Sequence, residues 1–152
     1  MTARSRSGFS LVEVTLALGV AAFCLLAVFG LLPIGLKTQQ TAIEQTAATR
    51  IVSAVVSDLR STARATTTSS LFTINIPANT ASSSSTLYFD TEGHFSPTIG
   101  ANSRYRLTIT FIPNSTGGRG ATFAHLLVTW PAAASTANAA GAAETFLALD
   151  RN

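Results

Sequence analysis

Residues Gly8–Leu36 read GFSLVEVTLALGVAAFCLLAVFGLLPIGL, and this apolar stretch decides how the chain is organised. From Phe9 onward it contains one charged residue, Glu13. A helix needs about 20 consecutive apolar residues to cross the hydrocarbon core of a bilayer. The stretch therefore predicts a membrane-spanning helix over residues 9–36. An acidic side chain at the centre of such a helix costs roughly 2.5–3.5 kcal/mol on insertion. Glu13 lies near the end of the run, where we expect a smaller cost.

The leader before this stretch, MTARSRSG, carries Arg4 and Arg6 and no acidic residue. Basic residues beside a first hydrophobic segment favour a cytoplasmic location for that flank, so we expect the rest of the chain to be exported. A secretory signal peptide has a shorter apolar region, of about 7–15 residues, that ends at a small-x-small cleavage site. This run is longer, and no clean site of that kind follows it. Lipoprotein processing at Cys24 is not expected, because the bulky Phe23 precedes the cysteine.

The basic leader, Gly8, Phe9, Glu13 and the apolar run, in that order, resemble the class III signal of type IV pilins and type II secretion pseudopilins. In that family a prepilin peptidase cuts after the glycine and methylates the new N-terminal phenylalanine, and a glutamate is the fifth residue of the mature chain. The resemblance implies cleavage between Gly8 and Phe9, with Glu13 as the fifth residue. LYFDTEG and HLLVTWP are similar to sheet segments of minor pseudopilins and minor pilins. The Ser/Thr/Ala-rich loops resemble those of pilin-like proteins in verrucomicrobial gene cassettes.

Glu13 has two interpretations. A carboxylate at the start of a helix is favoured by the helix macrodipole. The Glu13 carboxylate would also neutralise the α-amino group of Phe9 in a neighbouring subunit, which would favour packing at a fixed axial offset in a filament. The alternative is that Glu13 is simply an acid tolerated at the level of the lipid headgroups.

Length and composition limit what the rest of the chain contains. The 152 residues allow one small domain beside the apolar helix. The net charge is +3, but without the leader eight basic side chains face seven acidic ones, so the charge does not indicate nucleic acid. Cys24 is the one cysteine, which excludes an intrachain disulfide. Many major pilins close a C-terminal loop with a disulfide, so its absence favours a minor subunit.

Helical periodicity continues after the apolar run. Pro33 lies inside the predicted helix, where a proline removes a hydrogen bond, and we expect a kink there. From Lys37 to about Ala65 an apolar residue recurs every four positions, which predicts an amphipathic helix that covers a sheet, with a coiled-coil partner as the alternative. The polar positions of this helix include Gln45, Arg50, Asp58 and Arg60.

Short strands are predicted beyond the helix. The expected strands are Leu71–Ile76, Leu87–Asp90, Arg104–Ile112, Phe123–Trp130 and Glu144–Leu149, with a polar loop over Asn79–Ser85 and a loop over Ala132–Ala143 that could instead form a helix. Strict alternation in the third predicts one buried face, with Tyr105, Leu107, Ile109 and Phe111. The fourth is expected to be its hairpin partner. The fold class is therefore α+β, with a long N-terminal helix packed by its C-terminal half on a small antiparallel sheet, as in pilins.

The residues give little support for catalysis or metal binding. His94 and His125 are interpreted as solvated side chains. Asp90 and Glu92 suggest a calcium site, but calcium takes 6–8 oxygen ligands and the nearby acids are too few. We therefore expect no enzyme, cofactor or metal. Nucleic acid is not expected as a partner, although three arginines (Arg104, Arg106 and Arg119) form a candidate basic patch.

Taken together, the sequence predicts a leader (residues 1–8), a transmembrane and filament-core helix (9–36), an amphipathic extension (37–65) and an exported sheet domain (66–152). The expected function is that of a structural minor subunit of a type II secretion or type IV pilus-like filament. Its expected partners are prepilin peptidase, other pilin or pseudopilin subunits and the inner membrane, with the C-terminal domain in the periplasm. The alternative is an uncleaved, single-pass anchored binding domain that does not polymerise.

Overall fold

The computed structural model describes residues 8–78, 81–114 and 120–150. It contains one long helix, α1 (Leu11–Ser61), followed by five strands. The strands are β1 (Ser83–Phe89), β2 (Phe95–Ser96), β3 (Tyr105–Ile112), β4 (Thr122–Trp130) and β5 (Gly141–Leu149). A single turn of 3₁₀-helix, Thr136–Asn138, precedes β5. The α+β class predicted from the sequence is therefore confirmed.

The chain divides into two compact units, Met1–Gln40 and Thr41–Asn152. In the second unit all neighbouring strands are antiparallel, in the order β2-β1-β3-β4-β5. The last part of α1 packs on one face of this sheet through Ala48, Ile51, Val55 and Leu59, which are all buried. These positions repeat at helical spacing, so the predicted amphipathic packing is confirmed.

The central hairpin forms as its alternating sequence predicts. β3 buries Tyr105, Leu107, Ile109 and Phe111 against the helix, and β4 pairs with it antiparallel. On β4 the alternate side chains of Leu126, Val128 and Trp130 are also buried. Gly141 lies opposite Trp130, and a Cβ atom there would lie 2.2 Å from Cζ2 of the Trp130 indole. Glycine at this position therefore makes room for the tryptophan ring.

Several predicted boundaries were wrong. Residues Leu71–Ile76 form no strand, and a single isolated bridge joins Thr68 to Asn75. β1 begins at Ser83, so the predicted polar loop extends too far, because Ser83–Ser85 pair with the apolar end of β3. β5 begins at Gly141, three residues earlier than predicted, because this stretch pairs with the end of β4. The alternative of a helix in the alanine-rich segment is reduced to the 3₁₀ turn.

The helix ends at Ser61 rather than near Ala65. The hydroxyl groups of Ser61 and Thr62 both donate to the carbonyl of Asp58, as does the Thr62 amide. Asp58 itself was assigned to the polar face, but its side chain is 1% exposed. Its carboxylate accepts hydrogen bonds from the amides of Leu71 and Phe72 and from the Ser70 hydroxyl. This one side chain therefore organises the segment that was predicted to be a strand.

Candidate functional site

The candidate functional site is the apolar part of α1 with its N-terminus. Every residue of Gly8–Leu36 is exposed. Phe9, for example, is 82% exposed. Among the described residues, α1 is the one helix long and apolar enough to span a membrane, and none of its most apolar window is buried. Since a helix that is apolar all round belongs in a membrane or in a core, this segment needs lipid or other helices around it.

Ser10 begins the helix. Its carbonyl accepts the amides of Glu13 at 3.0 Å and Val14 at 3.1 Å, which places Ser10 at the N-cap position and Glu13 at the third helical position. Ser at the N-cap with Glu three residues later is the sequence of a capping box. This pattern was not predicted, although Ser10-x-x-Glu13 is visible in the sequence. Neither the Ser10 hydroxyl nor the Glu13 carboxylate makes the reciprocal bonds of a capping box in the described residues, so a local role of Glu13 rests on the sequence pattern alone.

The Glu13 side chain is exposed, and within the described residues no hydrogen bond or ion pair involves its carboxylate. Its position in the first turn places it where the macrodipole favours an anion. The chain gives Glu13 neither a buried polar pocket nor a basic partner in the described residues.

The structure describes most of the other residues predicted for this site. Gly8 lies beside Phe9 just before the helix, as the sequence requires. The helix continues through Pro33, so the proline does not end it, and the kink stays a prediction. Cys24 is a free, exposed cysteine. Arg4 and Arg6 of the leader lie outside the described residues.

The arginines predicted to form a basic patch are held within the domain. Arg104 forms an ion pair with Glu44 of α1. Arg106 is half-buried and donates to the carbonyl of Ala132. Arg119 lies outside the described residues. The two described arginines therefore do not share a free surface.

One group of side chains has the composition of a metal site. Donor atoms of Asp90, Glu92 and His94 lie within 4.8 Å of one another. The Asp90 carboxylate accepts the amides of Glu92 and His94 and lies 3.0 Å from Nδ1 of His94. Although desolvation raises the pKa of Asp90, hydrogen bonds from His94 and Gly93 and the charge of the His94 ring outweigh it and hold the pKa below its usual value. The carboxylate is thus already used to shape the turn after β1.

The second histidine lies on the outer face of the sheet. The His125 ring stacks on Phe146 with centroids 4.6 Å apart, and its Nε2 lies 3.3 Å from the carboxylate of Glu144. His125 is half-buried rather than fully solvated. This pair fixes the position of an exposed aromatic ring on β5.

Comparison of the chain with protein-family models, with curated proteins and with solved structures finds no match.

Proposed function

We propose that this chain is a structural minor subunit, a pseudopilin or minor pilin, of a type II secretion or type IV pilus-like filament. One observation carries the proposal: a single helix exposes an apolar surface over its first part and supplies the core of a sheet domain with its last part. In this proposal prepilin peptidase cuts between Gly8 and Phe9. The inner membrane holds the subunit with the sheet domain in the periplasm before it enters the filament.

The apolar segment then performs a mechanical function. Lipid tails are as apolar as leucine, so moving this helix from lipid to the helices of other subunits changes its apolar burial little. The apolar burial therefore favours neither the membrane nor the filament strongly, so assembly is reversible. The specificity of assembly comes from polar contacts. The exposed Glu13 carboxylate, paired with the Phe9 amine of a neighbour, supplies such a contact. Charge neutralisation within the apolar environment favours one axial offset over others.

The capping role of Glu13 must be separated from this assembly role. Either Glu or Gln at the third helical position serves a capping box, but Gln carries no charge. We therefore expect Glu13→Gln to insert normally and to be excluded from filaments, whereas a role in capping alone predicts normal assembly. Glu13→Leu, which removes both properties, is the comparison variant. Membrane and sheared filament fractions are measured by immunoblotting.

The second candidate function is an anchored binding domain that is never cleaved and never polymerises. The Ser10-x-x-Glu13 pattern favours it, because a helix start alone explains these two residues without another subunit. It predicts that Glu13→Gln and the parent chain behave alike and that both remain in the membrane fraction. Filament incorporation of the parent chain contradicts it directly.

A further inference from the structure

Within the part of the chain that the structure describes, β5 is a free edge of the sheet. It pairs with β4 without interruption, from Gly141 opposite Trp130 to Leu149 opposite Thr122. On its other side no hydrogen bond from the described residues reaches its main chain. About half of the amide and carbonyl groups of an antiparallel edge strand point away from its one neighbour. β5 therefore presents a row of unpaired donors and acceptors.

The two edges of the sheet are protected to different extents. At the opposite edge, the two-residue strand β2 pairs with Tyr88 and Phe89 and shortens the free part of β1. β5 has nine residues, contains no proline and carries one charge, that of Glu144. The Glu144 carboxylate lies 3.3 Å from His125 on the outer face, so it does not cover the edge. Proteins usually protect edge strands by shortening them, bending them or adding prolines or charges, so β5 has the properties of a strand that receives a partner.

The buried stripe of α1 is incompletely covered on the side of β5. Ala47 and Ala54 of the helix line a cavity beside Phe89 and therefore mark the β1 side of this stripe. Because a helix turns by about 100° per residue, Val52 and Val56 flank the stripe on its opposite side, toward β5. Both valines are half-buried and pack against the core. The apolar stripe is thus wider on this side than the sheet beneath it.

The inner face of β5 is also incompletely covered. Leu147 is buried, but Ala143 and Thr145, which point to the same side of the strand, are half-exposed. Together with the two valines of the helix they form a shallow apolar surface along the free edge. We call these four residues the edge trough: Val52, Val56, Ala143 and Thr145. An added strand would place every second side chain over this trough, where apolar side chains would be removed from water.

A second folded copy of the sheet does not fit this position. α1 runs along the strands, from Glu44, which pairs with Arg104 before β3, to Leu59, which lies near Leu149 at the opposite end of the sheet. Neighbouring strands are rotated by roughly 20–25°, so a second five-stranded sheet at this edge would be turned by about 100–125°. Its helix would cross the first helix, and pairing of two β5 edges would also reverse its direction. Copies whose helices lie side by side therefore cannot share a continuous sheet.

We propose that β5 and the edge trough bind an extended segment of another polypeptide as a sixth, antiparallel strand. Main-chain hydrogen bonds to β5 provide the affinity, and apolar side chains at every second position of the segment enter the trough. Such a segment brings no second helix, so the twist of the sheet does not oppose its binding. The proposal goes beyond filament assembly, because a cleaved subunit and an uncleaved anchored domain present the same edge.

Fluorescence anisotropy of a labelled synthetic peptide tests this binding, with the full chain in detergent solution. The probe alternates valine and threonine between two terminal lysines. The control peptide has the same composition with its valines adjacent, so it cannot present them all to one face of a strand. We expect saturable binding of the alternating peptide and about tenfold weaker binding of the control.

Variants of the chain locate the binding site. Ala143→Lys places a charge in the edge trough and should weaken binding by about tenfold or more. Ala142→Lys, the neighbouring substitution on the exposed outer face, is the matched control and should bind as the parent chain does. On the helix, Val56→Lys should weaken binding in the same way, whereas Ser57→Lys at an exposed position should not. Unchanged thermal midpoints, followed by Trp130 fluorescence, show that binding and not folding is lost.

Three results would overturn the proposal. The first is a parent chain that does not bind the alternating peptide or binds both peptides equally. The second is equal binding by the Ala143→Lys and Ala142→Lys variants. The third is a parent chain that self-associates in detergent without peptide and becomes monomeric with Ala143→Lys in analytical ultracentrifugation, because a second copy would then occupy the edge.

Discussion

Replacement of the buried Asp58 by asparagine tests how the sheet domain is held together after the helix. In the structure both carboxylate oxygens are acceptors: Oδ1 binds the Leu71 amide at 3.1 Å and the Ser70 hydroxyl at 3.2 Å, and Oδ2 binds the Phe72 amide at 3.1 Å. The asparagine side chain has one acceptor and one donor group. At least one of the two amides would therefore face a donor and lose its partner.

The expected cost follows from these bonds. A hydrogen bond to a charged group contributes about 1.5–3 kcal/mol, and a buried amide left unsatisfied costs about 1–3 kcal/mol more. We expect Asp58→Asn to lower the free energy of unfolding by about 3–4 kcal/mol. A domain of this size has a total stability of about 5–15 kcal/mol. The substitution should lower the midpoint of thermal unfolding by about 10–20 °C.

Lowering the pH should reproduce part of this loss of stability. Burial raises the pKa of Asp58, but hydrogen bonds from Ser69, Leu71, Phe72 and Ser70 outweigh it, so the pKa lies below its usual value. A carboxyl group with a depressed pKa stabilises the fold above its unfolded pKa of about 4 and loses that effect as the pH falls through the folded value. The parent chain should therefore lose stability in this acidic range more steeply than the asparagine variant.

Fluorescence of Trp130 reports the transition, because it is the one tryptophan and is 2% exposed. Thermal unfolding of the full chain is measured in detergent solution, with Asp150→Asn as the matched control. Asp150 pairs with Arg64 at an exposed site, and such pairs contribute about 0–1 kcal/mol. Equal midpoints for the two asparagine variants would refute the role given to Asp58.

Two further predictions concern the sheet. Gly141→Ala should lower the free energy of unfolding by about 1–3 kcal/mol, because its methyl group would overlap the Trp130 ring, whereas Gly100→Ala should have little effect. Equal thermal midpoints for these two variants would contradict this. Arg104→Ala combined with Arg106→Ala should lower the thermal midpoint, because contacts to Glu44 and Ala132 are lost, and should leave retention on immobilised DNA unchanged. A clear loss of retention would instead support a nucleic-acid surface.

The parts of the fold that were predictable have strong local periodicity. The last part of the long helix and the β3–β4 hairpin repeat their apolar residues at the periods of helix and strand, and burial follows that pattern. The strand predicted over Leu71–Ile76 does not form, because the amides of Leu71 and Phe72 donate hydrogen bonds to the distant Asp58 carboxylate. Thr73 there adopts φ 52°, in the left-handed region that is rare for a β-branched residue. Ser83–Ser85 were not predicted as part of β1, because their strand structure depends on pairing with β3 rather than on their own sequence.

Asp58 shows that the polarity of a residue alone does not predict whether its side chain is buried. It lies three residues after Val55 and seven after Ile51, on the stripe that packs on the sheet, so its spacing indicated burial although its charge indicated exposure. Likewise the sequence identified Phe9 and Glu13 from their order in the motif. The backbone hydrogen bonds of the structure were needed to place the helix start at Ser10, which puts Glu13 at the third helical position.

The most direct test of the central claim is the intact mass and N-terminal sequence of the protein from its native membrane. The proposed subunit begins at Phe9 and carries one added methyl group. A chain that still begins at Met1 or Thr2, in a host that contains the peptidase, would contradict processing and leave the plain membrane anchor.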